Sequence, residues 1–208
     1  MSILRTDARL RRDLAAIRAA VGATPPDSAT LRADLQRDGW RGAALHRACA
    51  AVHRAAIATL GLEPFDTQWR AALVLLDGRL AEMATGEGKT LAMALAATLA
   101  ALAGRRVHVI TANDYLVERD AMALRPLCAH FGLEVGTVTT ASDPSSRHAA
   151  YRRDIVYLCA RELVFDSLRD AQAGAADALP LQRHVNALAG ALPPPQRVPA
   201  LDVALLDE

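Results

Sequence analysis

The chain has 208 residues, 52% of them hydrophobic, enough to bury one substantial core with a small appendage. A formal net charge of +1 excludes the global basic field that drives indiscriminate nucleic-acid binding. No signal peptide heads the chain and no uncharged apolar run reaches membrane-spanning length, the nearest (91–103) being short and mostly alanine, so a cytosolic protein is expected.

From about residue 3 to residue 60 the pattern is helical. Leu10, Leu14, Ile17 and Val21 fall on one stripe, and Gly22-Ala23-Thr24-Pro25-Pro26 breaks it. Ser28 or Thr30 is placed to cap a second helix, and 41–60 gives a third with Leu45, Cys49, Val52, Ala56 and Leu60 on one face. Arg5, Arg9, Arg11, Arg12 and Arg18 in the first helix offer a docking face for acidic lipid or a partner; a solvated face on a packed helix is the simpler account. Cys49, Cys128 and Cys159 lie in apolar segments without metal-ligand spacing and read as buried free thiols.

Beyond residue 62 the texture changes to strand alternating with helix. Strands are predicted at 79–83, 107–111, 133–138, 155–159 and 203–206. Helices are predicted at 90–103, stopped by Gly104, and 114–131, stopped by Gly132. This alternation predicts an α/β fold with a parallel sheet flanked by helices, preceded by an N-terminal helical segment at 1–62. Residues 171–200, rich in Ala, Gly and Pro, read as a surface excursion with a short helix at 181–188 before the last strand.

The most informative residue is Lys89, the only lysine, within Thr85-Gly86-Glu87-Gly88-Lys89-Thr90. A compact ammonium on a flexible stem reaches between β- and γ-phosphates, where a planar guanidinium fork does not fit. Flanking glycines let backbone N–H groups close on phosphate oxygens, and the Thr90 hydroxyl suits Mg²⁺. The same letters also occur as a plain glycine turn with a solvated lysine. Met83 stands where the general phosphate loop has its first glycine, which favours helicase-like motors. Asp207-Glu208 follows the apolar run at 203–206, where one carboxylate can hold the Mg²⁺ shell and the next can polarise a water. Two acids are also an ordinary strand ending. Gln68, 21 residues before Lys89, carries donor and acceptor together and can read the edge of adenine, with Phe65 near to pack on the base.

Phe65-Asp-Thr-Gln68, the stretch from Gly78 to Thr90 and the stretch from Val107 to Asp120 resemble SecA, the ATP-driven motor of bacterial protein export. Tyr151-Arg-Arg-Asp-Ile-Val-Tyr157, Phe165-Asp-Ser-Leu-Arg-Asp170 and Leu205-Leu-Asp-Glu208 continue the likeness. The resemblance implies a RecA/helicase-like P-loop NTPase, with 63–208 belonging to a first nucleotide-binding motor domain and with ATP and Mg²⁺ as cofactors. By that likeness Gln68 would contact adenine, and Thr85, Gly86, Glu87, Gly88, Lys89 and Thr90 would line the phosphates. Lys89 would meet the β/γ oxygens, Thr90 and Asp207 the Mg²⁺, and Glu208 would be the catalytic base. A SecYEG-type translocon and an unfolded preprotein are the partners it implies, at the inner face of the cell membrane; acidic membrane lipid, from the basic first helix, and a homodimer are further expected partners.

The likeness is incomplete. Leu158-Cys-Ala-Arg-Glu-Leu-Val164 replaces a Gly-Thr-Asn-rich segment, and the connection from Asp170 to Asp207 is long and proline-rich, as in a divergent or accessory member. The acid pair ends the sequence, so residues 1–208 are expected to bind nucleotide and to turn it over poorly without arginines from a second motor domain. The alternative is an RNA or DNA helicase-like ATPase. Near-neutral charge and Asn113-Asp-Tyr-Leu116 weigh against it, so nucleic acid is not an expected partner.

Overall fold

A computed structural model describes residues 2–176, 198, 199 and 201–207. Three helices come first: α1 (Ser2–Val21), α2 (Ser28–Asp38) and α3 (Gly42–Leu60). Leu10, Leu14 and Ile17 of α1 are buried as their spacing predicts. The cap of α2 is neither Ser28 nor Thr30 but Asp27, whose carboxylate accepts the Thr30 N–H at 2.7 Å. Three arginines of α1 meet the protein's own acids: Arg9 pairs with Asp13 and Asp77, Arg11 with Asp7, and Arg18 with Asp66.

Then follow α4 (Asp66–Leu76), α5 (Lys89–Leu102), β1 (Val107–Thr111), α6 (Asp114–His130), β2 (Val135–Val138), α7 (Pro144–Ala150), β3 (Ile155–Cys159), α8 (Ala160–Ala176) and β4 (Val203–Leu206). The strands form one parallel sheet in the order β2-β3-β1-β4, with Val107 opposite both Ile155 and Val203. Helices cover both of its faces. Val107, Val109, Ile155, Tyr157 and Leu205 join a core shared with α1 to α6. Val156 and Leu158 point the other way, toward Ala150 and Tyr151 at the end of α7. The core is continuous from Leu10 to Leu205, so the first three helices and the sheet layers are packed as one body. Every residue of α5 from Ala92 to Leu102 is buried, and each buried leucine there contributes about 2 kcal/mol. All three cysteines are buried and free. Among the described residues no helix is long and apolar enough to cross a membrane.

Two predicted elements differ. Residues 79–83 form no strand, and Leu80 is 93% exposed. An extended run becomes a strand only beside a hydrogen-bonding neighbour, and among the described residues β4 pairs with β1 alone. At the other boundary α8 runs to Ala176, six residues into the predicted excursion, because Ala171-Gln-Ala-Gly-Ala-Ala176 is dominated by the best helix former. The short helix predicted at 181–188 lies outside the described residues.

A buried ionic cluster ties α7 to α8. Arg147 donates to Glu162 at 2.7 Å, to Asp166 at 2.9 Å and to the Thr139 carbonyl at 2.7 Å, while the Tyr151 hydroxyl donates to Asp166 at 3.1 Å. Burial alone would raise the Asp166 carboxyl. Hydrogen bonds from Arg147, Arg169 and Tyr151 outweigh it and hold the pKa below the ordinary value. Arg147→Met removes the buried guanidinium that bridges Glu162 and Asp166, leaving them the more exposed Arg161 and Arg169 and the Tyr151 hydroxyl, and is expected to cost about 3 kcal/mol. Arg18→Ala, which breaks an exposed pair, is expected to cost less than about 1 kcal/mol. Urea unfolding of the two variants measures the contrast.

His108 on β1 is fully buried, beside Tyr151, and among the described residues neither ring nitrogen has a side-chain hydrogen-bond partner. Burial disfavours the imidazolium, so its pKa is lowered, with Arg106 adding to the effect and Asp202 opposing it. A lowered histidine pKa means that the unfolded chain binds the proton first. His108 therefore lowers stability as pH falls through the ordinary histidine range and leaves it unaffected above that range. The urea midpoint is expected to fall between pH 7.5 and pH 5.5, and to fall less in His108→Val.

Candidate nucleotide site

The loop that carries Lys89 is built by its neighbours. Ala84 to Glu87 form a turn closed by the Glu87 N–H on the Ala84 carbonyl at 3.3 Å. Gly88 caps α5 with φ 83°, a left-handed conformation that disfavours any side chain. A Cβ there would also stand 2.4 Å from the Gln68 Nε2 atom. Helix α5 begins at Lys89 itself, so the N–H end of its first turn and the positive end of its dipole lie at the loop. The buried body of α5, packed on α4 and against β1, β3 and β4, fixes the direction of that terminus.

Gln68 sits in the first turn of α4 and is 6% exposed. Its Oε1 accepts the Phe65 N–H at 2.9 Å, and its Nε2 donates to the Glu87 carbonyl at 3.0 Å. The amide predicted to read adenine thus has one bond to each side of the site, leaving one acceptor lone pair and one N–H beyond them. The Phe65 ring is 67% exposed and borders a cleft of about 510 Å³ between α1, α3 and the start of α4, which Leu14, His53 and Trp69 also line. Arg18 pairs with Asp66, which holds α1 against the same turn.

At the C-terminal ends of the strands lies a second cleft of about 720 Å³, lined by Thr111, Asn113, Tyr115, Cys159, Arg161 and Asp207. Asp207 continues the β4 ladder, its N–H on the Ile110 carbonyl at 2.9 Å, which places its carboxylate just beyond the sheet. Glu208, predicted as catalytic base, lies outside the described residues. Asn113 caps α6 by accepting the Leu116 N–H at 2.9 Å. Asp114 accepts the Thr140 N–H at 2.9 Å and faces the Cys159 thiol at 3.3 Å. The Thr140 hydrogen bond lowers the Asp114 carboxyl below its ordinary pKa. Burial and this carboxylate push the Cys159 thiol up to about 11, so it is not a thiolate nucleophile at neutral pH.

Thr90 and Asp207 supply a hydroxyl and a carboxylate, hard oxygen ligands that suit Mg²⁺. The Asp114–Thr140–Arg161 link and the Arg147 cluster were not found from sequence. The one available signal was Asp143-Pro144-Ser145-Ser146, a helix cap followed by proline at the first helical position. Read as a cap, it would have placed α7 and brought Arg147 into the interior.

The comparisons agree with this geometry. The family model of the SecA DEAD-like domain matches residues 10–208. Protein translocase subunit SecA 2 of Thermobifida fusca is 55% identical over 122 residues, 59% of this chain and 16% of that protein. SecA 2 of Mycobacterium tuberculosis (strain ATCC 25618 / H37Rv) is 47% identical over 159 residues, 76% of this chain and 18% of that protein. SecA 2 of Bordetella avium is 50% identical over 137 residues, 66% of this chain and 21% of that protein. The chain therefore spans about a fifth of the length of these relatives. A parallel sheet covered by helices, a glycine loop opening α5 and a family match over nearly all residues lead to one conclusion: the chain belongs to the SecA family through its DEAD-like, helicase-type P-loop domain.

Proposed function

We propose that the chain is the ATP-binding portion of a SecA-like motor that couples ATP hydrolysis to preprotein export through a SecYEG-type channel. The observation that carries the reading is the loop from Thr85 to Thr90, seated on the N-terminus of a buried helix and braced by Gln68, in a chain of this family. Lys89 meets the β- and γ-phosphate oxygens, the loop from Thr85 to Thr90 lines them with its backbone, and Gln68 and Phe65 take the adenine. Thr90 and Asp207 hold Mg²⁺, which supplies charge neutralisation at the phosphates when bound. Glu208 accepts the proton of the attacking water. Residues 63–208 form the nucleotide-binding motor domain and 1–62 its helical buttress. The 208 residues bind nucleotide with little turnover of their own, since the arginines that neutralise a γ-phosphate belong to a second motor domain in the implied family arrangement. The working protein acts at the inner face of the cell membrane, with a translocon and an unfolded preprotein as partners.

The decisive experiment compares the ATPase rate of the full gene product with translocon-containing membranes plus unfolded preprotein against the rate with single-stranded RNA. Stimulation by membranes and preprotein, abolished in Lys89→Ala, is expected. Stimulation by RNA alone would overturn the export reading. A second expectation concerns loop geometry. Gly88→Ala introduces backbone strain of about 1–3 kcal/mol and displaces the Gln68 amide, so Mg-ADP binding should weaken about tenfold or more while the far-UV spectrum is retained.

A further inference from the structure

Glu87 stands between the two glycines of the loop and is held from both sides. Its backbone carbonyl accepts the Gln68 Nε2 at 3.0 Å, and its carboxylate turns back to accept the Ala84 N–H at 3.0 Å. The second contact spans the turn already closed by the Glu87 N–H on the Ala84 carbonyl, so one residue closes that turn twice. The side chain is exposed, so water does not force this bond; the local geometry selects it. Without a bound anion the helix dipole favours an acid at this place; with one bound, the acid's charge opposes it. The loop and the α5 N-terminus form an anion-binding surface, and Glu87 brings a fixed negative charge to it. Neutral residues with a hydrogen-bond acceptor would close the same turn without that opposition.

We propose that Glu87 is an affinity-setting residue of the nucleotide site: its bond to Ala84 shapes the loop, while its charge opposes that of a bound nucleoside di- or triphosphate and favours product release. The inference rests on the nucleotide reading above. It separates two functions of one carboxylate, shape and charge, that different substitutions remove. Glu87→Gln keeps an oxygen to accept the Ala84 N–H and removes the charge. Glu87→Ala removes both.

Titration of the full gene product with Mg-ADP at 50 mM and 300 mM salt, with Lys89→Ala as the binding-deficient control, tests this. Glu87→Gln is expected to bind Mg-ADP about 3- to 10-fold more tightly than wild type at low salt, with the gap narrowing at high salt as screening sets in. Its product-release rate should fall in the same proportion. Glu87→Ala should bind less tightly than Glu87→Gln at both salt concentrations, because the turn has lost its brace. Unchanged or weaker binding by Glu87→Gln, at an unchanged melting temperature, would overturn the charge role, and equal binding by the two variants would overturn the shape role. Absence of Mg-ADP binding by wild type would remove the nucleotide reading and this inference together. Tight wild-type binding that is indifferent to the Glu87 substitutions would remove only this inference.

Discussion

One buried amide joins the helical layer to the glycine loop at 85–90. Gln68 takes the Phe65 N–H on its oxygen and gives its nitrogen's hydrogen to the Glu87 carbonyl, so the start of α4 and the turn before α5 share one side chain. The contact is close: a methyl group on Gly88 would displace the amide. The orientation of the loop is therefore set by where α4 sits. That in turn depends on α1 and α3, through Arg18 on Asp66 and through the Trp69 indole on His53 at 3.2 Å. A helical segment that would otherwise be a passive cover thus enters the definition of the site.

Polar groups are divided between the two faces of the sheet in different ways. The face toward α5 is closed by apolar packing, and its helix ends at the loop. The other face holds a charged cluster of Arg147, Glu162 and Asp166, nearly all of it out of water. Such a cluster adds little net stability over an apolar one, and its hydrogen bonds link Arg147 of α7 to Glu162 and Asp166 of α8. It also connects outward: Arg161 pairs with Glu162 and donates to the Thr140 hydroxyl, whose backbone N–H meets Asp114 at the strand ends. The cleft beside Asp207 is consequently framed by residues whose positions are fixed from the interior.

Much of this arrangement was legible in the residues because local signals and long-range packing agreed. Gly104 and Gly132 stop α5 and α6 where a left-handed residue is required, and the strands at 107–111, 155–159 and 203–206 stand where their apolar runs place them. The loop was legible because lysine is used once. Helix α4 was less so, since Asp66-Thr-Gln-Trp-Arg-Ala-Ala-Leu-Val-Leu-Leu76 mixes helix formers with residues whose role is to touch α1, α3 and the loop. Residues 79–83 have strand composition without a strand partner, and pairing cannot be read from composition. The Gln68 contact crosses 19 residues and the Arg147 cluster up to 19, distances at which single-sequence periodicity is silent.

The strand order carries a consequence for how the protein is made. β1 is the first strand synthesised, yet it lies inside the sheet, with β3 on one side and β4 on the other. Its pairing with β4 joins positions about 96 residues apart, as the Arg106 N–H on Asp202 illustrates. Such non-local closure is slow relative to helix formation, and until β4 emerges β1 presents a bare edge of backbone donors and acceptors. The N-terminal helices and α5 can gather their apolar faces early. The nascent sheet must wait with one flank open, at the stage when a ribosome-bound chain is most prone to pair with the wrong neighbour.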